Sequence, residues 1–217
     1  MSSQVRGGTR WKRFALVMVP SIAATAAVGV GLAQGALAAS FSVSGQDFKV
    51  SADKLDGRDL IQYGGIAKGH ELDPNGKAQH HPVTISGFSR AEITNMCQSL
   101  VTPTPLGPIT LQLKTGHKGT PAVATNIYLD VAELDTDAEF TNLDIGVAVG
   151  DESHKTKPQA GTMSSPYAFS QRADRAILTD VKQKAWATTA GTFKLPNLKL
   201  RLVGGDQPCY QDKDVRD

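Results

Sequence analysis

Ala138-Glu139-Phe140-Thr141-Asn142-Leu143-Asp144-Ile145-Gly146-Val147-Ala148-Val149 decides how the rest of the chain is read. Its second half alternates: Leu143, Ile145, Val147 and Val149 fall on one face of a strand, and Asp144, Gly146 and Ala148 on the other. Its first half recurs. The phrase Ala-x-apolar-Thr-Asn/Asp-apolar returns from Ala91 to Met96 and from Ala176 to Val181, and in shortened form from Ala124 to Ile127. Thr-Asn inside a strand predicts a recurrent bulge or a side-chain-to-backbone bond. The full copies start 47 and 38 residues apart, a spacing too irregular for a solenoid of fixed period.

Working outward, short alternating segments bounded by turn chemistry cover the chain. Phe41–Ser44 and Phe48–Ala52 come first, then Lys54–Tyr63, a glycine-rich polar stretch over 64–81 that is a loop or a hairpin tip, and Pro82–Ile85. Pro103, Pro105 and Pro108 interrupt the chain before Ile109–Leu113 resumes the alternation, so residues 109 to 149 read as three consecutive strands. Gly150–Thr162 is polar without apolar periodicity and reads as a mobile loop. Ala168–Arg175 reads as a helical turn or an edge segment. Phe193–Val203 alternates, with Pro196 marking an edge or bulge, leucines inward and lysine and arginine outward. No sustained apolar run at helical spacing occurs outside the leader. The expected fold is all-β: an antiparallel sandwich or an elongated curled sheet with repeated strand modules, preceded by an N-terminal signal or anchor helix.

That leader is the clearest signal of place. Arg6, Arg10, Lys12 and Arg13 precede Phe14–Ala38, which carries no charge, and Ala36-Leu37-Ala38 has the small-x-small form of a signal-peptidase site. Residues 1–38 are expected to be a signal peptide cleaved after Ala38, with an uncleaved anchor as the rival, and residues 39–217 a single β-rich exported domain. Setting aside the leader's four basic residues takes the net charge from +2 to −2, which does not support a nucleic-acid-binding face. The only cysteines, Cys97 and Cys209, lie in the exported part, where one disulfide is expected; two separately buried thiols are the alternative.

Chemistry is harder to find. Gly87-Phe88-Ser89-Arg90-Ala91 approaches a nucleophile elbow, with His117 and His154 downstream, but the strand phrase claims Ala91 and the alternation of strands and helices such an elbow needs is missing. Ser89 is better read as a turn serine. Adjacent His80 and His81 would point to opposite faces of a strand, and they read as exposed loop residues rather than ligands. Asp130, Glu133, Asp135, Asp137 and Glu139 lack the glycine and closing glutamate of a calcium loop and read as a solvated acidic turn. No metal or cofactor is expected. Trp186, Phe193, Tyr167 and Phe169 are the candidates for lining an apolar ligand pocket, against the ordinary alternative of core packing.

Asn95-Met96-Cys97-Gln98-Ser99, the run Ala185-Trp186-Ala187-Thr188-Thr189-Ala190-Gly191-Thr192-Phe193-Lys194-Leu195, and Pro208-Cys209-Tyr210 together make the chain resemble a secreted actinobacterial family of unknown function whose members often carry the automatic label "cholesterol esterase". The resemblance implies an exported, envelope-associated protein without established catalytic residues; the residues read above do not support the esterase label. The expectation is a non-catalytic cell-envelope protein with a structural or interaction role, secreted or held in the envelope outside the cytoplasm. A lipid or hydrophobic-ligand carrier comes second and a serine esterase using Ser89 third. Its partner is expected to be an envelope protein or lipid, not nucleic acid, with membrane contact open to the N-terminal segment.

Overall fold

The structure, a computed structural model, describes residues 45–70 and 77–216 together with Met18. The leader's role, its cleavage after Ala38, and the strand expected over Phe41–Ser44 fall outside the described residues. What is described is nearly all antiparallel β-sheet, as the alternation required, with one 3-10 turn at Asp212–Asp214.

Two long hairpins build it. β1 (Phe48–His70) pairs with β2 (Ala78–Thr94), and β3 (Met96–Thr102) continues the same pairing beyond Asn95; the described part of the glycine-rich stretch, residues 64–70 and 78–81, is paired strand in this hairpin. After β4 (Ile109–Thr115), β5 (Ala122–Ala148) pairs with β6 (Phe169–Thr189). The hairpins then join on both sides, β2 to β5 and β1 to β6, and the four strands close into a ring. Paired positions run from Thr125 through Arg90, Arg58 and Arg175 back to β5 at Thr141, sixteen residues further along the strand. A ring that returns so far along its own strand is steeply coiled.

The recurrent phrase is what permits the coiling. β5 has 27 residues, and a straight strand of that length would run about 90 Å, well beyond a domain of this size. Asn95, Asn126, Asn142 and Asp180, the polar ends of the four phrases, all adopt left-handed backbone (φ 47 to 54°), and Asp59 does the same in β1. Asn and Asp tolerate that region better than other side chains bearing a Cβ. At each one the inward-facing position changes parity: Gly57 then Leu60, Ile93 then Met96, Ala124 then Ile127, Phe140 then Leu143, Leu178 then Val181. The opposite strand changes with it (Ala52 then Leu55, Phe88 then Ala91, Ala173 then Ala176), so the β1–β2, β1–β6 and β2–β5 registers continue unaltered across the bend. Three bends are stitched by side chains: Asn95 Nδ2 donates to Asp53, Ser89 Oγ to Asp59 Oδ2 at 2.6 Å, and Asn142 Nδ2 to Asp174 Oδ2 at 2.7 Å. The expected bulge is therefore a concerted bend in neighbouring strands, bonded side chain to side chain.

The first apolar cluster fills the ring, with Leu55, Phe88, Ile127, Leu129 and Leu178 at its centre. The Phe88 ring lies where a Cβ on Gly57 would stand, 2.3 Å from its nearest carbon. The second cluster is outside the ring. Leu60 belongs to the first and its neighbour Ile61 to the second, with Tyr63, Val83, Ile85 and Val149. Residues 149–168 cover it.

Several expectations are corrected. Residues 109–149 form two strands, not three, because Asn126 and Asn142 bend β5 without ending it. Leu143 to Val149 do not share one face: Gly146 (φ +91°) and a register shift break the alternation, leaving Ile145 exposed and burying Val149 in the second cluster. Ala168–Arg175 is mostly strand β6 inside the ring, not a helical turn or edge. The segment over 150–162 is bound down rather than mobile, because Arg172 and Tyr128 hold its carbonyls. Pro196 splits the final alternation into β7 (Thr192–Lys194), paired with β5, and β8 (Lys199–Gly204), paired with β4.

Candidate functional site

β3, β4 and β8 form a small sheet continuing from the start of β1, and its two faces differ. Leu100, Leu111 and Leu202 are directly paired, and Gln98, Leu113 and Leu200 form the next row on the same side. Leu113 packs against the ring's core, so this face extends the ring's apolar lining outward. There it is left uncovered: Leu200 is 60% and Leu202 69% exposed, with Leu111 and Leu198 also exposed. The leucines expected to point inward are exposed because β8 lies beyond the strands that cover the core. Leu106, at the proline-flanked tip of the β3–β4 turn, is fully exposed.

The opposite face is closed by the C-terminal segment. Thr110 Oγ1 donates to the Gly205 carbonyl at 2.7 Å, Gln112 Nε2 donates to the Gln207 carbonyl, and the Cys209 amide donates to Ser99 Oγ at 2.9 Å. Cys97 and Cys209 are joined by a disulfide, which ties the chain end to β3; the expected pairing is formed. On this face Lys114 and Lys199 sit opposite each other, and Arg201 beside them donates to the Gln112 amide oxygen at 3.1 Å. Lys114, Lys118, Lys194, Lys199 and Arg201 are exposed and none pairs with a carboxylate among the described residues.

A second feature is the open mouth of the ring, a pocket of about 420 Å³ lined in part by Gln62, Thr84, Ser86, Glu133, Phe169 and Gln171. Gln62 lies between Ser86 and Gln171 in one row and donates to Ser86 Oγ at 3.0 Å, giving way to the apolar row of Leu60 and Ala173 below. An apolar pocket among Leu55, Ile93, Ile127, Leu129 and Phe193 measures about 30 Å³, room for a water or two and not for an acyl chain. The ring is a packed core.

Beneath residues 149–168 lies a buried polar layer that the sequence did not announce. Arg172 is 0% exposed and donates to the carbonyls of Thr156 and Val149 at 2.7 and 2.8 Å. The Gln159 amide donates to the Tyr63 hydroxyl at 2.9 Å, and Tyr128 donates to the Lys157 carbonyl at 2.8 Å. Burial holds both tyrosine hydroxyls above their usual pKa. Asp130 is 4% exposed, its Oδ1 has no partner among the described residues, and burial pushes its carboxyl up to about 6.

The aromatic candidates do not converge on one pocket. Trp186 stacks on His81 (ring centroids 3.6 Å apart) against the second cluster, and Phe193 is half-buried against the first. Phe169 lines the mouth, while Tyr167 is 91% exposed. His80 and His81 are strand residues, not loop residues. The acidic group is mid-strand rather than a turn: Asp135 and Asp137 hold Arg216 at 2.6 and 2.7 Å, while Asp130 is the buried exception. Ser89 is neither on an elbow nor in a free turn. It sits in β2 and donates directly to a carboxylate, while His154 approaches Asp144 at 4.0 Å.

A closed antiparallel ring, with one disulfide suited to an oxidising compartment and an amphipathic sheet at its edge, defines an all-β domain whose outward-facing features are surfaces and a shallow mouth. The chain belongs to a family of unknown function (DUF6230), whose model matches residues 44–210. No curated protein and no solved structure matches it. Among the described residues no helix is long and apolar enough to cross a membrane.

Proposed function

We propose that this protein is a non-catalytic exported domain of the cell envelope that works by docking, and that it docks through the leucine face of β4 and β8. The observation that carries this reading is that face itself: a disulfide-braced sheet holding Leu200 and Leu202 in the open. Contiguous exposed apolar surface of this kind marks interaction sites. Ser89 supports the non-catalytic part. Its proton is directed at Asp59, whose carboxyl burial raises but the Ser89 and Lys155 contacts bring net below the usual range, so no imidazole occupies the place of a general base. The packed ring favours a surface role over carriage of an enclosed lipid.

Leu200→Gln with Leu202→Gln, made in the full chain and expressed in an envelope-bearing host, tests the reading. The native chain should fractionate with the envelope and the double variant should be released, with unchanged thermal unfolding because both positions are exposed. Equal retention of the two would overturn docking through this face.

A further inference from the structure

We propose, building on that reading, that the occupant of the leucine face is the surface of an anionic lipid bilayer, with the β3–β4–β8 sheet lying flat in the headgroup layer. Four features favour this over another protein or a second copy.

The first is the division of faces. Leu111, Leu200 and Leu202 point one way, and Lys114, Lys199 and Arg201 the other by strand alternation. An interfacial segment lies in this way, its apolar side at the acyl boundary and its long cationic side chains reaching headgroup phosphates. Second, the cations are uncommitted: Lys114, Lys118, Lys194 and Lys199 cluster here and form no ion pair among the described residues, whereas Lys49, Lys54, Lys155, Lys182 and Lys184 are paired and the unpaired Lys68, Lys77, Lys157 and Lys213 lie elsewhere in the chain. Basic residues near an anionic membrane each strengthen binding.

Third, the composition is wrong for a protein partner. The face holds leucines without Tyr or Trp, and its cations are mostly lysine, which protein interfaces avoid. Fourth, lysine and arginine on the open edge strand β8 discourage its pairing edge to edge with another strand, including the β8 of a second copy, where like charges would meet. Leu106, fully exposed at a turn stiffened by Pro103, Pro105 and Pro108, supplies an apolar tip at the end of the same sheet.

The test uses the full chain throughout, so that any contribution of residues 1–38 is common to all samples. Leu202→Trp places a reporter on the face. With phosphatidylglycerol vesicles its emission should shift to the blue and be quenched by brominated acyl chains, with no change on phosphatidylcholine vesicles. Lys114→Gln and Lys199→Gln should each lower partitioning about fivefold, and added salt should weaken it further. A reporter that stays in water while the protein sediments with vesicles would overturn the proposal, because contact would lie elsewhere. If vesicles are not bound but an envelope protein cross-links at position 202, the occupant is a protein and only the docking reading survives. Concentration-dependent dimers lost in Leu202→Gln would assign the face to a second copy and overturn the lipid assignment.

Discussion

Asp130→Asn should make this protein more stable at neutral pH. The Asp130 carboxyl sits on β5 between Ile85 and Ala187, almost wholly buried, with Oδ1 unpartnered among the described residues. Burial raises its pKa from 3.8 to about 6. The unfolded chain therefore releases this proton first. Below pH 3.8 both states hold it and the group contributes nothing. Between about 4 and 6 the folded state alone holds it, and stability falls as pH rises. Above about 6 the loss is complete, and a rise of this size in the folded-state pKa corresponds to about 3 kcal/mol. An amide is never ionised, but its buried NH₂ also lacks a partner, so a gain of about 2 kcal/mol at a pH of about 7.5 is expected. Asp56 and Asp59, whose carboxyls lie below the usual range, act oppositely and only at lower pH, where protonation removes their stabilising contacts. Urea unfolding followed by Trp186 fluorescence, at pH values of about 4.5, 6 and 7.5 that span the titration, reads the effect. Native and variant curves that remain parallel across this range would refute the assignment of the slope to Asp130.

Other perturbations address the remaining supports. Replacing Cys97 and Cys209 by alanine frees a loop with a sequence separation of 112, which chain entropy values at about 4 to 5 kcal/mol, and the drop in thermal midpoint should match that of the native chain under reductant. Asn95→Ala should cost about 2 kcal/mol, combining the left-handed penalty with loss of the Asp53 bond; Asn95→Gly, which relieves the backbone, should cost less, in denaturant titrations. Gly57→Ala should destabilise by about 2 kcal/mol by driving a methyl into Phe88, with Phe88→Leu restoring part of it. Ser89→Ala should cost about 1 kcal/mol and leave any trace of ester hydrolysis unchanged, as measured on a chromogenic acyl ester.

Alternation alone gave away the all-β class, and the Thr-Asn phrase gave away the positions of the bends, since few side chains other than Asn and Asp settle into left-handed backbone. The closure of the ring was not legible, because it depends on which distant strands meet, and pairing partners leave no mark in a single strand's pattern. The same limit hid the leucine face: alternation separates Leu200 from Arg201 but does not say which side is covered. The segment over 150–162 misled for another reason. Its own side chains show no periodicity, since what holds it are its backbone carbonyls, taken by Arg172 and Tyr128 on the strands, and one amide given to Tyr63.

The closed ring also sets an order of events in folding. The β1–β2 and β5–β6 hairpins each join residues near one another along the chain, whereas β1 meets β6 across more than a hundred residues, as in the pairing of Phe48 with Ala185. Distant pairing pays its loop entropy before it gains contacts, so the two hairpins should form early and their union should limit the rate. Cys97 and Cys209 have no other cysteine to choose and are brought together only when β3 and the chain end are both in place. Oxidation then serves as a latch that records completed assembly: chains alkylated early in refolding should carry hairpin amide protection without the bond.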